Sequence, residues 1–279
     1  MKILITGSKG QLGSELVDLL SKDNEVYGLS HKELDIVDKN LVINTVSKIV
    51  PDIVIHCAAF VDADGCETNI KTAFDVNTIG SGNVAIASKK TKSIMVYIST
   101  DYIFDGKKDS LYIESDIPNP ISVYGISKYA GEQIVRHYLE EFFIVRTSWL
   151  FRKKGENFVN TILNLTKDRK ELRVVNDQVG SPTYVPDLAK AISSLISTKY
   201  YGIYHITNRG ECSWYEFTKK ILEYAEIENV KVTPILAEEL NRSAPRPKYS
   251  VLANFNLEKK KIYKMRNWEL ALKDFFNKK

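Results

Sequence analysis

A tyrosine and a lysine stand four residues apart in Tyr124-Gly125-Ile126-Ser127-Lys128, which places them on one face of a helix predicted to run toward Glu141. A cation beside a phenol favours phenolate and lowers a pKa that starts near ~10. Tyr124, assisted by Lys128, can then exchange a proton with a carbonyl or an alcohol near neutral pH. The same spacing recurs at Tyr215 and Lys219, so context has to separate the two pairs. Only Tyr124 follows a β-type run that ends in a hydroxyl, Met95-Val96-Tyr97-Ile98-Ser99-Thr100. Ligands of parallel sheets gather at the carboxyl ends of strands. Thr100 is therefore expected to donate a hydrogen bond to the reacting oxygen while Tyr124 supplies the proton.

A second group of residues binds rather than reacts. Gly7-Ser8-Lys9-Gly10-Gln11-Leu12-Gly13 follows the first predicted strand and opens the first helix. Without Cβ atoms, Gly7, Gly10 and Gly13 permit a sharp turn, close approach of a pyrophosphate, and tight packing of helix on strand. The helix start, with Gln11 and Leu12, then faces the phosphates of a dinucleotide. The spacing is G-x-x-G-x-x-G, and its position between strand and helix carries more meaning than the glycines alone. The second strand ends in Leu29-Ser30-His31-Lys32, with no carboxylate to take ribose hydroxyls. Ser30 as a hydrogen-bonding group and Lys32 as a counter-charge to a 2′-phosphate favour NADPH, with NADH the alternative. Asp35 and Ile36 are expected near the adenine, and Ala58 and Ala59 after the third strand leave room for the cofactor. Lys128 would then bind the nicotinamide ribose as well as tune the phenol.

The elements that must position these groups alternate. Apolar runs at Ile3–Thr6, Val26–Leu29, Asp52–His56, Ile94–Ser99 and Phe143–Thr147 are separated by helical patterns such as Gln11–Leu20 and Leu41–Val50. Repeated βαβ units make an α/β fold with a Rossmann-like doubly wound parallel sheet, and runs such as Ile53-Val54-Ile55 suit strands covered on both faces. After Trp149 the rhythm loosens into helices near Asn157–Thr166, Pro186–Thr198 and Ser213–Tyr224, and strands near Leu172–Val175 and Gly202–Thr207. A smaller, interleaved C-terminal substrate domain is expected. Residues 1–150, with parts of 171–208, would bind the dinucleotide, and 151–170 with 209–279 would shape the substrate site. Ser213 followed by Glu216 reads as a capping box, which makes Trp214 structural.

With 279 residues, 44% apolar and 27% charged, the chain can bury a sizeable core, and disorder or coiled coil is excluded. The formal charge of +4 is scattered apart from Lys259-Lys260-Lys261 and Lys278-Lys279, which argues against a nucleic-acid partner. Three cysteines without a C-x-x-C pair point to a reduced, cytoplasmic protein. No segment reaches the ~18 apolar residues of a membrane span, so no membrane partner is expected. The four histidines form no H-E-x-x-H, and no G-x-S-x-G elbow supports hydrolysis.

Gly7-x-x-Gly10-x-x-Gly13, Thr100 and Tyr124-x-x-x-Lys128 together resemble the extended short-chain dehydrogenase/reductase family. Within it, Ser99–Gly106, Arg146–Phe151, Asp177–Thr183, Gly210–Phe217 and Ala244–Pro247 look like the dTDP-4-dehydrorhamnose reductases, a similarity spanning nearly the whole chain. That resemblance implies reduction of the C4 ketone of dTDP-4-dehydro-6-deoxy-L-mannose to dTDP-L-rhamnose. Thr100, Tyr124 and Lys128 match the catalytic positions, and Asp101, Tyr102 and Trp149, with Thr100, the sugar-facing ones. Asp64 and Glu67 fit the pattern, whereas Phe60, Val61 and Ala63 replace the more usual Tyr, Thr and Val. Some members bind magnesium through acidic residues; Glu15 stands near such a place, and no metal is assigned. A homodimer is a further expectation. Two other readings stay open: another nucleotide-sugar reductase or epimerase, and a non-enzymatic NADP-binding subunit similar to the regulatory subunit of methionine adenosyltransferase. A dehydratase is disfavoured because Asp101-Tyr102 lacks its second carboxylate.

Overall fold

The computed structural model describes residues 1–277; Lys278 and Lys279, and the basic run they form, lie outside the described residues. Six strands form the central sheet: β1 (Lys2–Thr6), β2 (Glu25–Leu29), β3 (Ile53–His56), β4 (Ile94–Thr100), β5 (Phe142–Thr147) and β6 (Gly202–His205). All five pairings are parallel, in the order β6-β5-β4-β3-β1-β2. The order reverses at β1, where the chain leaves for β2 on one side and returns to β3 on the other. Such a switch point opens a crevice at the carboxyl ends of β1 and β3.

The runs are apolar throughout because both faces are covered. Ile3, Ile5, Ile53, Ile55, Val96, Phe143 and Val145 pack on one face under helices α1 (Gln11–Leu20) and α5 (Val185–Ile196). Their neighbours Leu4, Val54, Met95, Tyr97 and Ile144 pack on the opposite face. There they meet α2 (Lys39–Ile49), α3 (Ser81–Thr91) and α4 (Val123–Tyr138). The alternation of side chains along each strand divides every run between two cores. Helix α4 stops at Tyr138, short of Glu141, because Leu139 turns extended before β5 begins. Strand β6 stops at His205 because Asn254 takes over the backbone of Thr207, accepting from its N–H at 2.9 Å and donating to its carbonyl at 2.9 Å.

A separate core joins helices Phe158–Leu165, Trp214–Tyr224 and Trp268–Phe276 to a parallel strand pair, Glu171–Val175 with Lys231–Ile235. Segment 171–208 is divided between the cores: its first strand lies here, while α5 and β6 belong to the main sheet. Leu257 and Met265 return to the first core, so the chain interleaves. Ser213 closes its capping box with Glu216, as its sequence predicts.

Candidate active site

The loop between β1 and α1 is shaped by what it excludes. Gly7 has φ +68°, and a Cβ there would stand 2.7 Å from the Ala58 nitrogen. A Cβ on Gly13 would stand 2.2 Å from the Gly7 carbonyl oxygen. Helix α1 begins at Gly10 with no side chain capping its first turn, which leaves backbone N–H groups for an anion. Two clefts of about 560 and 400 Å³ meet here, sharing Gly7, Gly10, Cys57 and Ala59 in their walls. The larger also takes in Gln11, Leu12 and Gly13. The buried Gln11 Oε1 has no hydrogen-bond partner, while Nε2 of the same amide donates to the Glu156 carbonyl at 3.1 Å. A glycine cradle that Cβ atoms would fill, beside an unpaired acceptor, suits a dinucleotide.

The smaller cleft brings together Ser30, Asp35 and Ile36 with Ala58, all expected at the cofactor, and adds Lys9 and His31. Ser30 donates from both N–H and Oγ to the Glu33 carboxylate, at 2.8 and 2.7 Å. These bonds hold Glu33 below the usual carboxylate range, with Lys9 helping. Lys32 is exposed and lines neither cleft; Lys9, from the glycine loop, lines the smaller one.

Thr100, Tyr124 and Lys128 converge on the larger cleft. Thr100 caps the short helical turn 101–103, its Oγ1 accepting from the Tyr102 N–H at 3.2 Å and donating to Asp101 Oδ1 at 3.1 Å. Ser122 caps α4, accepting from the Gly125 N–H at 3.2 Å, and so sets the turn that carries Tyr124. Burial pushes the Tyr124 phenol above its ordinary range; the neighbouring Thr100 hydroxyl opposes this, and the Asp101 charge reinforces it. The phenol therefore stays protonated at neutral pH, the state an acid needs. Lys128 is 2% exposed. Its Nζ donates to the Ile98 carbonyl at 2.7 Å and stands 4.2 Å from the centroid of the Tyr97 ring. Burial lowers its pKa to about 7, against the opposing charge of Glu132. Burial dominates at Tyr124, and the Lys128 nitrogen turns to the Ile98 carbonyl.

The residues expected to face the sugar come together in the larger cleft. Asp101 accepts from Ser250 Oγ at 2.6 Å, and burial lifts its pKa to about 6. Tyr102 lies edge-on to Tyr124, ring centroids 5.6 Å apart. Trp149, at φ +48°, stacks on Trp214 with centroids 3.4 Å apart and planes 7° from parallel. Both indoles line the cleft, so Trp214 does more than the structural task its capping box suggests. Gly180 makes room for Trp149, whose ring would stand 2.5 Å from a Cβ there.

Arg246 is a residue that sequence reasoning quoted without a role. It binds Asp64 through two guanidinium nitrogens, at 3.1 and 2.7 Å, and its charge opposes the rise that burial gives the Tyr102 phenol. Asp64 also accepts from the Ala244 N–H at 2.9 Å, and Glu67 accepts from the Val123 N–H at 2.8 Å. The two acids that fit the resemblance thus tie segments together, and of the three departures Val61 lines the larger cleft and Phe60 the smaller. A third cleft of about 360 Å³ is lined by Arg242, Arg246 and Lys248. Among the described residues no group of three or more His, Cys, Asp or Glu is placed to hold a metal ion.

Comparison with known proteins follows the same lines. The family model described as RmlD substrate binding domain matches residues 1–279. The spore coat polysaccharide biosynthesis protein SpsK of Bacillus subtilis is 41% identical over 279 residues, covering 100% of this chain and 98% of its own length. A dTDP-4-dehydrorhamnose reductase of Aggregatibacter actinomycetemcomitans is 37% identical, covering 98% of this chain and 97% of its own. Among solved structures, dTDP-4-dehydrorhamnose reductase from Bacillus anthracis in complex with NADP superposes with a TM-score of 0.96 at 46% identity, covering 99% of each chain.

Proposed function

The chain belongs to the RmlD family of dTDP-4-dehydrorhamnose reductases, and on that premise we propose that it performs the NADPH-dependent reduction of the C4 ketone of dTDP-4-dehydro-6-deoxy-L-mannose to dTDP-L-rhamnose. One observation carries the reading: a single cleft holds the glycine cradle, Thr100, Tyr124 and Lys128 together. NADPH, when bound, supplies the hydride. Tyr124 holds the proton on its phenol oxygen and releases it to the oxygen at C4. Thr100, hydrogen-bonded to Asp101 and neighbouring the Tyr124 phenol, orients the phenol and the reacting oxygen. Lys128 binds the ribose hydroxyls beside it.

Gln11, Leu12 and the three glycines hold the pyrophosphate, and Ala58 and Ala59 leave it space. Ser30, Asp35 and Ile36 surround the adenosine. Asp101, Tyr102 and Trp149 face the sugar. Arg242, Arg246 and Lys248 supply positive charge for the diphosphate, a role supported by the cleft they share and by the effect of the Arg246 charge on Tyr102. Residues 1–150 with α5 and β6 form the cofactor lobe in this reading, and the second core shapes the substrate side. A cytoplasmic location fits the three unpaired cysteines. No helix of the described residues is long and apolar enough to cross a membrane.

The test is NADPH oxidation by purified protein with the keto sugar, beside NADH and beside UDP-linked keto sugars. Turnover with the thymidine-linked substrate and NADPH is expected. NADPH binding without turnover would overturn the reading in favour of a regulatory subunit.

A further inference from the structure

Thr147 ends β5 as the register partner of Thr100 on β4, so the two hydroxyl-bearing residues reach the carboxyl edge of the sheet side by side. It is 5% exposed and lines the larger cleft. Its Oγ1 is buried without any hydrogen-bond partner. The hydroxyls around it are occupied: Thr100 bonds Asp101, while Ser148 and Thr183 both donate to the Ser181 carbonyl, at 2.8 and 3.3 Å. A buried hydroxyl left unpaired destabilises the fold, and valine would fill the same space at the end of a buried strand without that penalty. The fold alone therefore gives no reason for the hydroxyl. Gln11, another residue of the same cleft, also carries a buried polar atom, Oε1, without a partner.

We propose that the Thr147 hydroxyl is a ligand-contacting group of this site, hydrogen-bonding a neutral amide or hydroxyl group of the bound reactants. This rests on the reductase reading. Two sources offer that chemistry, the carboxamide of the nicotinamide and a hydroxyl of the sugar. Thr147 bonds one of them beside the oxygen held by Thr100 and Tyr124, and so fixes the reactant's orientation on the sheet edge.

The experiment compares full-length Thr147→Val and Thr147→Ser with the unmodified protein. NADPH affinity is read by quenching of tryptophan fluorescence, and kcat and KM are read with the keto sugar at saturating NADPH. The valine variant should lose about 5–20-fold, the range of one hydrogen bond to a buried polar group. Serine should restore the value to within about 2-fold. A loss in NADPH affinity assigns the bond to the carboxamide; a loss confined to sugar KM or kcat assigns it to the sugar. Valine values within about 2-fold of the unmodified protein in all three quantities would overturn the proposal. Thermal unfolding serves as the control, with Thr147→Val expected to melt at or above the unmodified protein because it removes an unpaired buried hydroxyl. If the valine variant does not fold, Thr147→Ala against Thr147→Ser gives the same contrast. If the unmodified protein binds NADPH but does not reduce the sugar, the reductase reading fails by itself, and NADPH affinity alone then decides the role of Thr147.

Discussion

The two ends of the large cleft are built by different means. The cofactor cradle uses seven consecutive residues, Gly7 to Gly13, and works through backbone: a left-handed Gly7, missing Cβ atoms and the open start of α1. The wall proposed to face the sugar uses side chains from distant segments, with Asp101 joined to Ser250, Tyr102 under the influence of the Arg246 charge, and Trp149 stacked on Trp214. A backbone device can be encoded locally, because glycine spacing and the adjoining strand and helix are enough to specify it. A side-chain wall depends on two hydrophobic cores docking correctly, so it is specified only by the complete fold.

The largest effect should come where the two ends meet. Tyr124→Phe removes the proton and keeps the ring, so kcat should fall at least ~10²-fold while NADPH affinity holds. Near-normal kcat in single-turnover measurements would remove Tyr124 as the acid. Next comes the buried ammonium. Burial pushes the Lys128 ammonium down from 10.5 to about 7. The native state therefore binds fewer protons than the unfolded chain between those values, and stability rises with pH across that window. Below pH 7 the ammonium costs the fold most. Lys128→Met should raise the melting temperature by several degrees more at pH 6 than at pH 10; an equal change at both would mean that burial does not depress the lysine. Gly13→Ala tests the cradle alone. Its Cβ meets the Gly7 carbonyl, overpacking that typically costs about 1–3 kcal/mol, so NADPH affinity should drop about 10-fold or more. At saturating NADPH the KM for the sugar should not change, and a parallel loss there would show that the two ends are not independent.

The same distinction explains what the sequence discloses. Ile53-Val54-Ile55 reads as a doubly covered strand because both of its faces meet helices. The cleft residues Gly7, Thr100, Tyr124 and Lys128 are legible because each sits at a strand end or helix start. The helices between Ala63 and Gly80 leave no clean periodicity, because they are short and end in a π-helical turn, Asp75–Gly80, that breaks the 3.6-residue repeat. The bond between Asp64 and Arg246 joins residues far apart in sequence, and no spacing rule links them. Trp214 is hidden by its capping box, a local signal sufficient by itself to account for the segment. Thr147 is hidden more deeply, since a threonine at a strand end is ordinary until its hydroxyl is found without a partner.

The stacked indoles give a sharper test of the wall. Aromatic pairs contribute about 0.5–1.5 kcal/mol beyond area, so Trp214→Ala should raise the sugar KM roughly 2–10-fold by releasing Trp149 from its left-handed conformation. Trp214→Phe should recover most of that loss. NADPH affinity should not move, because the cradle shares no hydrogen bond with this pair. An equal loss in NADPH affinity would show that the stack supports the whole cleft rather than its sugar side.

The smallest effect concerns which cation meets the 2′-phosphate, and it returns the comparison to the cradle. Sequence order favours Lys32, which directly follows the second strand, whereas Lys9 arises from the glycine loop and reaches the adenosine cleft. Lys9 also lowers the Glu33 carboxylate pKa, which places its charge close to Ser30. Both lysines are exposed, so screening limits either to about 0.2–1 kcal/mol. Lys9→Ala should therefore weaken NADPH about 2–5-fold at low salt while leaving NADH nearly unchanged, and the difference should shrink as salt rises. Lys32→Ala should leave both cofactors within about 2-fold. The reverse ranking, measured as paired affinities for NADPH and NADH, would mean that the turn after β2 closes over the adenosine on binding. The cradle would then depend on more than its seven contiguous residues.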